Sequence, residues 1–575
     1  MERKWRRTGL RADLEQLKAI RCKYTHELNE SKSQHINKLI IDCEHDPKKL
    51  FQLVSNLTGS KVENPLPEGH TNKDLADSFA DFFIGKIEKI RNELAQYPKY
   101  VPIESDSDEF SDFVPLNEVD IRKIITKSKS TGCELDPLPT SLLKENIDIL
   151  VPVITKIVNM SLCDGIFSTE WKTAIVRPLL KKVGLELIES NYRPVSNLSF
   201  LSKITEKAAL VQLDHHLEKN DLKIDYQSAY KSDYSTETAL LRVINDILLA
   251  MDNQNIMVLC AIDLSAAFDT VDHDILLSVL GKVCRISGKA LNWFDTYLRP
   301  RNMKVCINSE YSCKKDLTFS VPQGSCAGPV LYNIYAGTLA HEMENSPCRI
   351  LGYADDHCIF KSFKAGQVPD QENAIKEMEN CLDSIRQWMK HNRLKMNDTK
   401  TEVIYFGNQV QLDKCNLSSL KVGTSEVDAS QTIKYLGVTL DTNMTFTKHI
   451  KAKCKIASYN LYRIRKIRKY LTEDSCRVLI QALVISHLDY SNGVFINLSK
   501  KAVEPMQKIQ NMAAKIVLKK LKYDSSKESL KELHWLPIEF RIKFKIVMIV
   551  FKCINGNAPK YLKELNRMHI LCARK

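Results

Sequence analysis

The sequence predicts an α+β protein with a mixed centre and helical ends, and three observations carry that expectation. Short apolar runs at 256–262, 349–354 and 402–406 have the length and β-branched content of strands, with helix-period segments between them. Residues 1–60 read as helical, with Arg3, Arg7 and Arg11 spaced i, i+4, i+8 along one face. Beyond residue 441 the apolar spacing is almost wholly helical.

Taken in order, the first helical stretch meets a Pro- and Gly-containing break between Gly59 and Gly69. A second helix follows, with Leu75, Phe79, Phe82 and Phe83 as its apolar stripe. Residues 102–112 are acidic and Ser-rich and read as an exposed linker. The mixed α/β region runs from about Leu116 to Leu440, with neither an internal repeat nor a low-complexity tract.

Composition sets limits. A chain of 575 residues suggests three or four compact units of ordinary domain size. With 44% hydrophobic and 27% charged residues, wholesale disorder, a collagen-like repeat and a pure coiled coil are excluded. No apolar run reaches the ~18 residues needed to cross a bilayer, and the basic start Met1–Arg7 lacks the apolar core of a secretory signal. The expectation is a soluble intracellular protein. The 17 cysteines form no CxxC pair, so neither a zinc finger nor a disulfide framework is expected, and most should be small buried hydrophobes in a reducing compartment.

The net charge of +13 is compatible with a nucleic-acid partner, and its distribution says more. Residues 441–575 hold 28 Lys/Arg against 10 Asp/Glu, so the remainder is slightly acidic. Within that segment, 448–469 has nine basic residues and no acid, while Ile450, Cys454, Ala457, Leu461 and Ile464 form a helical seam. Lys448, Lys451 and Lys455 on the wet face are candidates to track phosphates, the alternative being a plain solvated face.

Two acidic features suggest chemistry. The apolar run 256–262 ends in Asp263, and a carboxylate at the tip of a buried strand is rigidly placed. An isolated Asp there equally suits a helix N-cap, here opening a helix over 265–280. The second feature, Tyr353-Ala354-Asp355-Asp356-His357, reads as a β-hairpin with its acids at the turn. Packed side by side, the two strands would gather Asp263, Asp355 and Asp356, a cluster that needs cations to neutralise it. Hard oxygen ligands favour two Mg²⁺, or Mn²⁺, ~3.5–4 Å apart, the arrangement for in-line nucleotidyl transfer.

With Asp263-Leu264-Ser265-Ala266-Ala267-Phe268-Asp269 upstream of Tyr353-Ala354-Asp355-Asp356, the chain resembles the reverse transcriptases of non-LTR, LINE-type retrotransposons, jockey-like elements above all. Further blocks extend the resemblance over most of the chain: 135–139, 171–172, 178–182, 191–196, 227–230 with 235–239, 321–325, 394–402, 434–438, 487–492 and 533–537. Residues 231–234 (Lys-Ser-Asp-Tyr) and 326–329 (Cys-Ala-Gly-Pro) depart from the family pattern.

The resemblance implies a right-hand polymerase: fingers, a palm with an antiparallel sheet, a helical thumb, and helical N- and C-terminal extensions. It divides the chain into a basic helical region (1–110), an entry segment to the fingers (111–161), fingers and palm (162–440), a basic thumb (441–500) and a C-terminal region (501–575). It implies that Lys182 and Arg193 hold the incoming triphosphate, against a solvated basic hairpin as the other reading. Phe268 would lie under the sugar and exclude a 2′-hydroxyl, or pack in a helical stripe with Val271, Ile275 and Val279. Gln323 would touch the new base pair, with Gly324 permitting close backbone approach. Lys400 is a candidate general acid for pyrophosphate or a surface ion-pair partner, and Tyr435, Leu436 and Gly437 resemble a primer-gripping hairpin.

The implied partners are an RNA template, a DNA primer and dNTPs, in a ribonucleoprotein with the element RNA, with no membrane role. Nicked chromosomal DNA as primer places the work in the nucleus after cytoplasmic synthesis. The expected nuclease domain has no room before residue 110, so a truncated or co-opted copy that binds RNA without polymerising is the competing expectation. A maturase-type relative is a third.

Overall fold

The computed structural model describes all residues except 60–64, 70, 131, 183, 417–418, 424 and 566–575. Part of the expected break between Gly59 and Gly69, and the end of the 501–575 segment, lie outside the described residues. Two compact units emerge: Asn64–Leu436 with Pro559–Leu565, and Met1–Glu63 with Gly437–Ala558. The five-segment division that the resemblance implies is drawn along the chain, whereas these units group the N-terminal helices with those after Gly437 around one core.

The core of the 64–436 unit is a four-stranded antiparallel sheet in the order Glu402–Phe406, Asn255–Ile262, Asp356–Lys364, Arg349–Tyr353. The three apolar runs of the sequence are all in it. Asn255–Ile262 lies in the interior, and its residues 256–260 are buried whichever way they point. A strand covered on both faces needs an uninterrupted apolar run. Helix Thr236–Asp252, opened by a Ser235–Thr238 capping box, packs on this strand, and Val368–His391 packs on Asp356–Lys364.

A second sheet joins Tyr192–Asn197 and Thr173–Leu180 as an antiparallel pair, with Arg301–Ile307 parallel to Thr173–Leu180. Short strands Glu310–Tyr311 and Lys315–Leu317 extend it. Helix Asn72–Leu94 lies on this sheet, burying Leu75, Phe79 and Phe83 with Val176, Tyr192, Met303 and Val305. Its far end is tied down by Arg91, which pairs with Asp272 and covers the Phe319 ring at 4.0 Å.

Several local expectations are corrected. Helix Glu2–Thr8 ends at Gly9, whose φ of 63° is the left-handed form a C-cap favours, and a new helix starts at Arg11. Arg11 therefore does not share one continuous helical face with Arg3 and Arg7. The acidic stretch 102–112 is extended without being a free linker: Ser105 N–H and Phe110 N–H donate to the carbonyls of Lys282 and Arg285. No helix opens at Ser265; the helix is His273–Lys282, capped by the Asp272 carboxylate on the N–H groups of Asp274 and Ile275. Residues 266–272 form turns instead, so Phe268 is not in a helical stripe.

In the other unit, helix Thr447–Ile467 buries Ile450, Ala457, Leu461 and Ile464. Two of its nine-cation run are structural. Arg463 is buried, donating to Ser55 Oγ at 2.7 Å, and Arg468 satisfies the carbonyls of Ile516 and Val517 beyond the end of helix Lys500–Val517. Asn37 donates to the Tyr470 carbonyl at 3.0 Å and joins the N-terminal helices to the same core. In the 487–492 block, Asp489 accepts from Arg541 and is a structural anchor for helix Ile538–Ile554.

Candidate active site

The antiparallel register places the acids. Ile262 pairs with His357, so the next step along the same ladder sets Asp263 opposite Asp356 at the sheet edge. Asp263 leaves the sheet between Ile262 and a two-residue strand, Leu264–Ser265, that pairs with Lys395–Met396. Its carbonyl accepts from Asn397 N–H at 2.8 Å, which fixes the backbone where the carboxylate emerges.

Tyr353 pairs with Asp356, leaving Ala354 and Asp355 as a two-residue turn. Ala354 has φ of +58°, a left-handed conformation that costs a residue with a Cβ about 1 kcal/mol. Gln227 holds it there. The Gln227 side chain accepts from Ala354 N–H at 2.8 Å and donates to Ala354 C=O at 3.1 Å, and it is fully buried. The neighbouring backbone is stitched to the strand: Gly352 N–H donates to Tyr226 C=O, and Ser228 N–H to Gly352 C=O. A Cβ on Gly352 would lie 3.0 Å from the Tyr226 ring, which explains the glycine.

Asp356 has its pKa pushed up to about 6, by burial first and then by the charges of Asp355 and Asp263. The three carboxylates are thus close enough to repel one another. Among the described residues no three His, Cys, Asp or Glu side chains form a closed metal-binding group. The donor set nevertheless fits Mg²⁺, which is commonly held by one or two carboxylates while substrate phosphates and water complete its shell.

These acids line a cavity of about 710 Å³, and Lys86, Lys181, Arg193 and Lys400 are also in its lining. Lys182 does not line it; Lys181 does, and its Nζ donates to Ser190 C=O at 2.7 Å. The strand ends at Leu180 and the chain bends at 181–182, so the direction in which it leaves the strand decides which lysine enters. Partial burial, then the charges of Lys86, Lys400 and Arg193, hold Lys181 below the usual lysine range. Lys400 Nζ lies 3.4 Å from Asp263 Oδ2, so its ion pair is to a site carboxylate.

The floor is built by two segments stapled together. Val321 N–H donates to Phe268 C=O, and Ser196 N–H donates to Gln323 C=O. Phe268 stacks on Tyr332 with centroids 4.5 Å apart. The Gln323 amide donates to Asp269 Oδ1 at 3.0 Å, and burial, the largest influence, pushes Asp269 up to about 6. At Gly324, φ is +111° and a Cβ would lie 2.3 Å from Ser196 C=O. Its close approach is therefore to the neighbouring strand. Within the departing 326–329 segment, Gly328 has no room for a side chain, since a Cβ on it would meet Ser325 Oγ at 2.7 Å. Glu206 accepts from the N–H groups of Cys326 and Ala327 and caps helix Ala327–Gly337. In the departing 231–234 segment, Lys231 turns back onto Ile224 C=O and its ammonium lies 5.1 Å from the Tyr234 ring centre.

Tyr435 is buried beside Cys358, and Leu436 and Gly437 take left-handed φ values of 45° and 78°. Lys448, Lys451 and Lys455 are exposed on Thr447–Ile467, in the other compact unit. Sequence reasoning missed Lys86, Lys181, Gln227 and Asp269. Lys86 had a readable signal, a lysine on the spacing of the Phe79–Phe83–Ile90 stripe, whereas Gln227 had none beyond its place in the 227–230 block.

A four-stranded antiparallel sheet with carboxylates at its edge and cations in the same cavity defines a palm-type nucleic-acid polymerase fold. Residues 180–440 match the family described as "Reverse transcriptase (RNA-dependent DNA polymerase)". Over 80% of the chain it is 24% identical to the "Probable RNA-directed DNA polymerase from transposon BS" of Drosophila melanogaster, covering 50% of that protein. It is 27% identical to the "RNA-directed DNA polymerase from mobile element jockey" of the same organism, over 59% of this chain and 37% of that one. The "Probable RNA-directed DNA polymerase from transposon X-element", also from that fly, is 22% identical over 77% of this chain and 48% of its own length. The chain is thus a relative of non-LTR retrotransposon reverse transcriptases, and it spans half or less of the length of these relatives.

Proposed function

We propose that the chain is an RNA-directed DNA polymerase of a non-LTR retrotransposon, extending a DNA primer on the element RNA at a nicked target. The observation that carries this is the gathering of Asp263, Asp355 and Asp356 with Lys181, Arg193 and Lys400 in the lining of one cavity. In this reading the second sheet and its basic hairpin are the fingers, the four-stranded sheet is the palm, and helices from Thr447 onward are the thumb.

Asp263, Asp355 and Asp356 would hold divalent cations, Mg²⁺ or Mn²⁺. When bound, these supply activation of the primer 3′-hydroxyl and neutralisation of phosphate charge. The chain does the rest by position. Phe268, fixed by its stack on Tyr332, forms a wall under the nucleotide sugar and leaves no room for a 2′-hydroxyl. Asp269 fixes the Gln323 amide beside the new base pair. Lys181 and Arg193 face the triphosphate, and Lys400 stands where a proton can pass to departing pyrophosphate. Lys448, Lys451 and Lys455 would contact template or primer phosphates without reading sequence.

Primer extension on poly(A) with oligo(dT), dTTP and Mg²⁺ tests the reading, with Asp355→Asn as control. Extension well above the control is expected. RNA binding by folded protein without such extension would instead establish the non-polymerising, co-opted copy. The Lys448, Lys451 and Lys455 triple alanine should flatten the slope of log affinity against log salt by about 2–3.

A further inference from the structure

The cavity contains one cation that the reverse transcriptase segment does not supply. Lys86 belongs to helix Asn72–Leu94, outside the 180–440 match, yet it lines the same cavity as Asp263, Lys181 and Arg193. It also lines the smaller adjoining cavity with Tyr192, Asp269 and Gln323.

Its mounting is rigid. Phe79 and Phe83 are buried two turns and one turn before it, with Phe79 edge-on to Tyr192 at 5.0 Å. Ile90 is buried one turn after it, and Arg91 pairs with Asp272 beyond that. Spacing 79, 83, 86, 90 is a continuous helical stripe, and three of its four members are apolar core. A lysine at the fourth position interrupts the packing face only where that face opens onto the cavity.

Lys86 has no structural reason to be charged. Among the described residues its ammonium makes no ion pair or hydrogen bond, unlike Lys73, Arg91 and Lys395, which pair with Asp77, Asp272 and Glu93 around the same helix. It sits close enough to Lys181 to oppose that residue's charge, and near enough to Asp269 to favour its ionised form. Lys86, Lys181 and Arg193 concentrate positive charge in one cavity, and a bound polyanion would relieve their mutual repulsion.

We infer that Lys86 is a substrate-binding residue contacting the phosphates of the incoming nucleoside triphosphate, so that a helix preceding the polymerase domain completes the nucleotide site. This rests on the polymerase reading, and it adds a residue and an element to it. Lysine acts here as a flexible point charge, and one charge-assisted contact corresponds to roughly tenfold to hundredfold in affinity.

The test uses the full chain. Lys86→Met keeps an unbranched side chain of similar length and removes the charge, and Lys86→Arg restores a cation. In poly(A)/oligo(dT) extension, Lys86→Met should raise the KM for dTTP about tenfold or more, with kcat within about threefold, and Lys86→Arg should recover most of the loss. A purely structural lysine would instead lower kcat and thermal stability and leave KM unmoved, which overturns the inference. A second readout does not need turnover: acylation of Lys86 in the wild type, read by mass spectrometry, should be suppressed by Mg²⁺·dTTP and not by thymidine. If the wild type fails to extend primers, the polymerase reading falls while protection still decides Lys86: protection by the triphosphate upholds it, and equal labelling with and without dTTP refutes it.

Discussion

The two sheets of the 64–436 unit divide the charge of the site between them. The four-stranded sheet supplies the acids from strand ends backed by an apolar interior, so Asp263 and Asp356 are placed by the register of one ladder. The second sheet supplies Lys181 and Arg193 from the exposed end of a hairpin, with Lys86 added from the helix above it. Acids that must sit close together need a rigid, buried mount to hold them against repulsion. Cations that meet a polyanion need less burial, and Lys86, Lys181 and Arg193 are all exposed.

Substitutions on the two sides should therefore differ in kind. The largest effect is expected from Asp355→Asn, a loss of at least ~10³-fold in kcat with little change in melting temperature, since removing one member of a repelling trio relieves strain. Retained incorporation would break the assignment of the acidic side. Gln227→Ala should be next. It strands the N–H and C=O of Ala354 and frees a strained turn, costing about 2–4 kcal/mol of stability together with kcat; chemical denaturation and single-turnover rates check both.

On the cationic side, Arg193→Ala should raise the dTTP KM by about tenfold to a hundredfold while leaving the melting temperature within a degree or two. Asp269 gives a smaller, pH-dependent effect. Its folded pKa of about 6 lies above the ordinary 3.8, so the fold favours the protonated form and stability falls as pH rises toward and through 6. Asp269→Asn should thus be the more stable protein at pH 8, with the advantage shrinking by about 1 kcal/mol on going down to pH 5. An advantage that grows in acid would refute the sign. Lys182→Ala should leave the dTTP KM unchanged, and a clear rise would return Lys182 to the triphosphate site in place of Lys181.

Legibility followed the same division. The run 256–262 was readable because a doubly covered strand is apolar throughout, 349–354 and 402–406 by their short apolar stretches, and the hairpin acids because Asp355 and Asp356 are adjacent. The cations were harder. Lys181 and Lys182 have identical local chemistry, and only the exit angle of the chain after Leu180 separates them. A helix opening at Ser265 was expected from apolar spacing over 265–280, but tertiary pairing of Leu264–Ser265 with Lys395–Met396 and the Asp272 cap moved its start to His273. Likewise, nine cations in 448–469 read as one wet face, whereas the buried contacts of Arg463 with Ser55 could not be seen without the partner helix.

By itself the sequence read the mixed α/β centre, the apolar runs of the four-stranded sheet and the three carboxylates that the structure brings to one cavity, because those depend on local pattern and on residue type. Only the tertiary structure decided which lysines enter the cavity, that Gln227 holds the Ala354 turn, and that the Asn72–Leu94 helix reaches the site. Each of these joins residues more than a hundred positions apart or turns on a single step of chain direction. Such choices are made by packing and register, which no stretch of sequence carries alone.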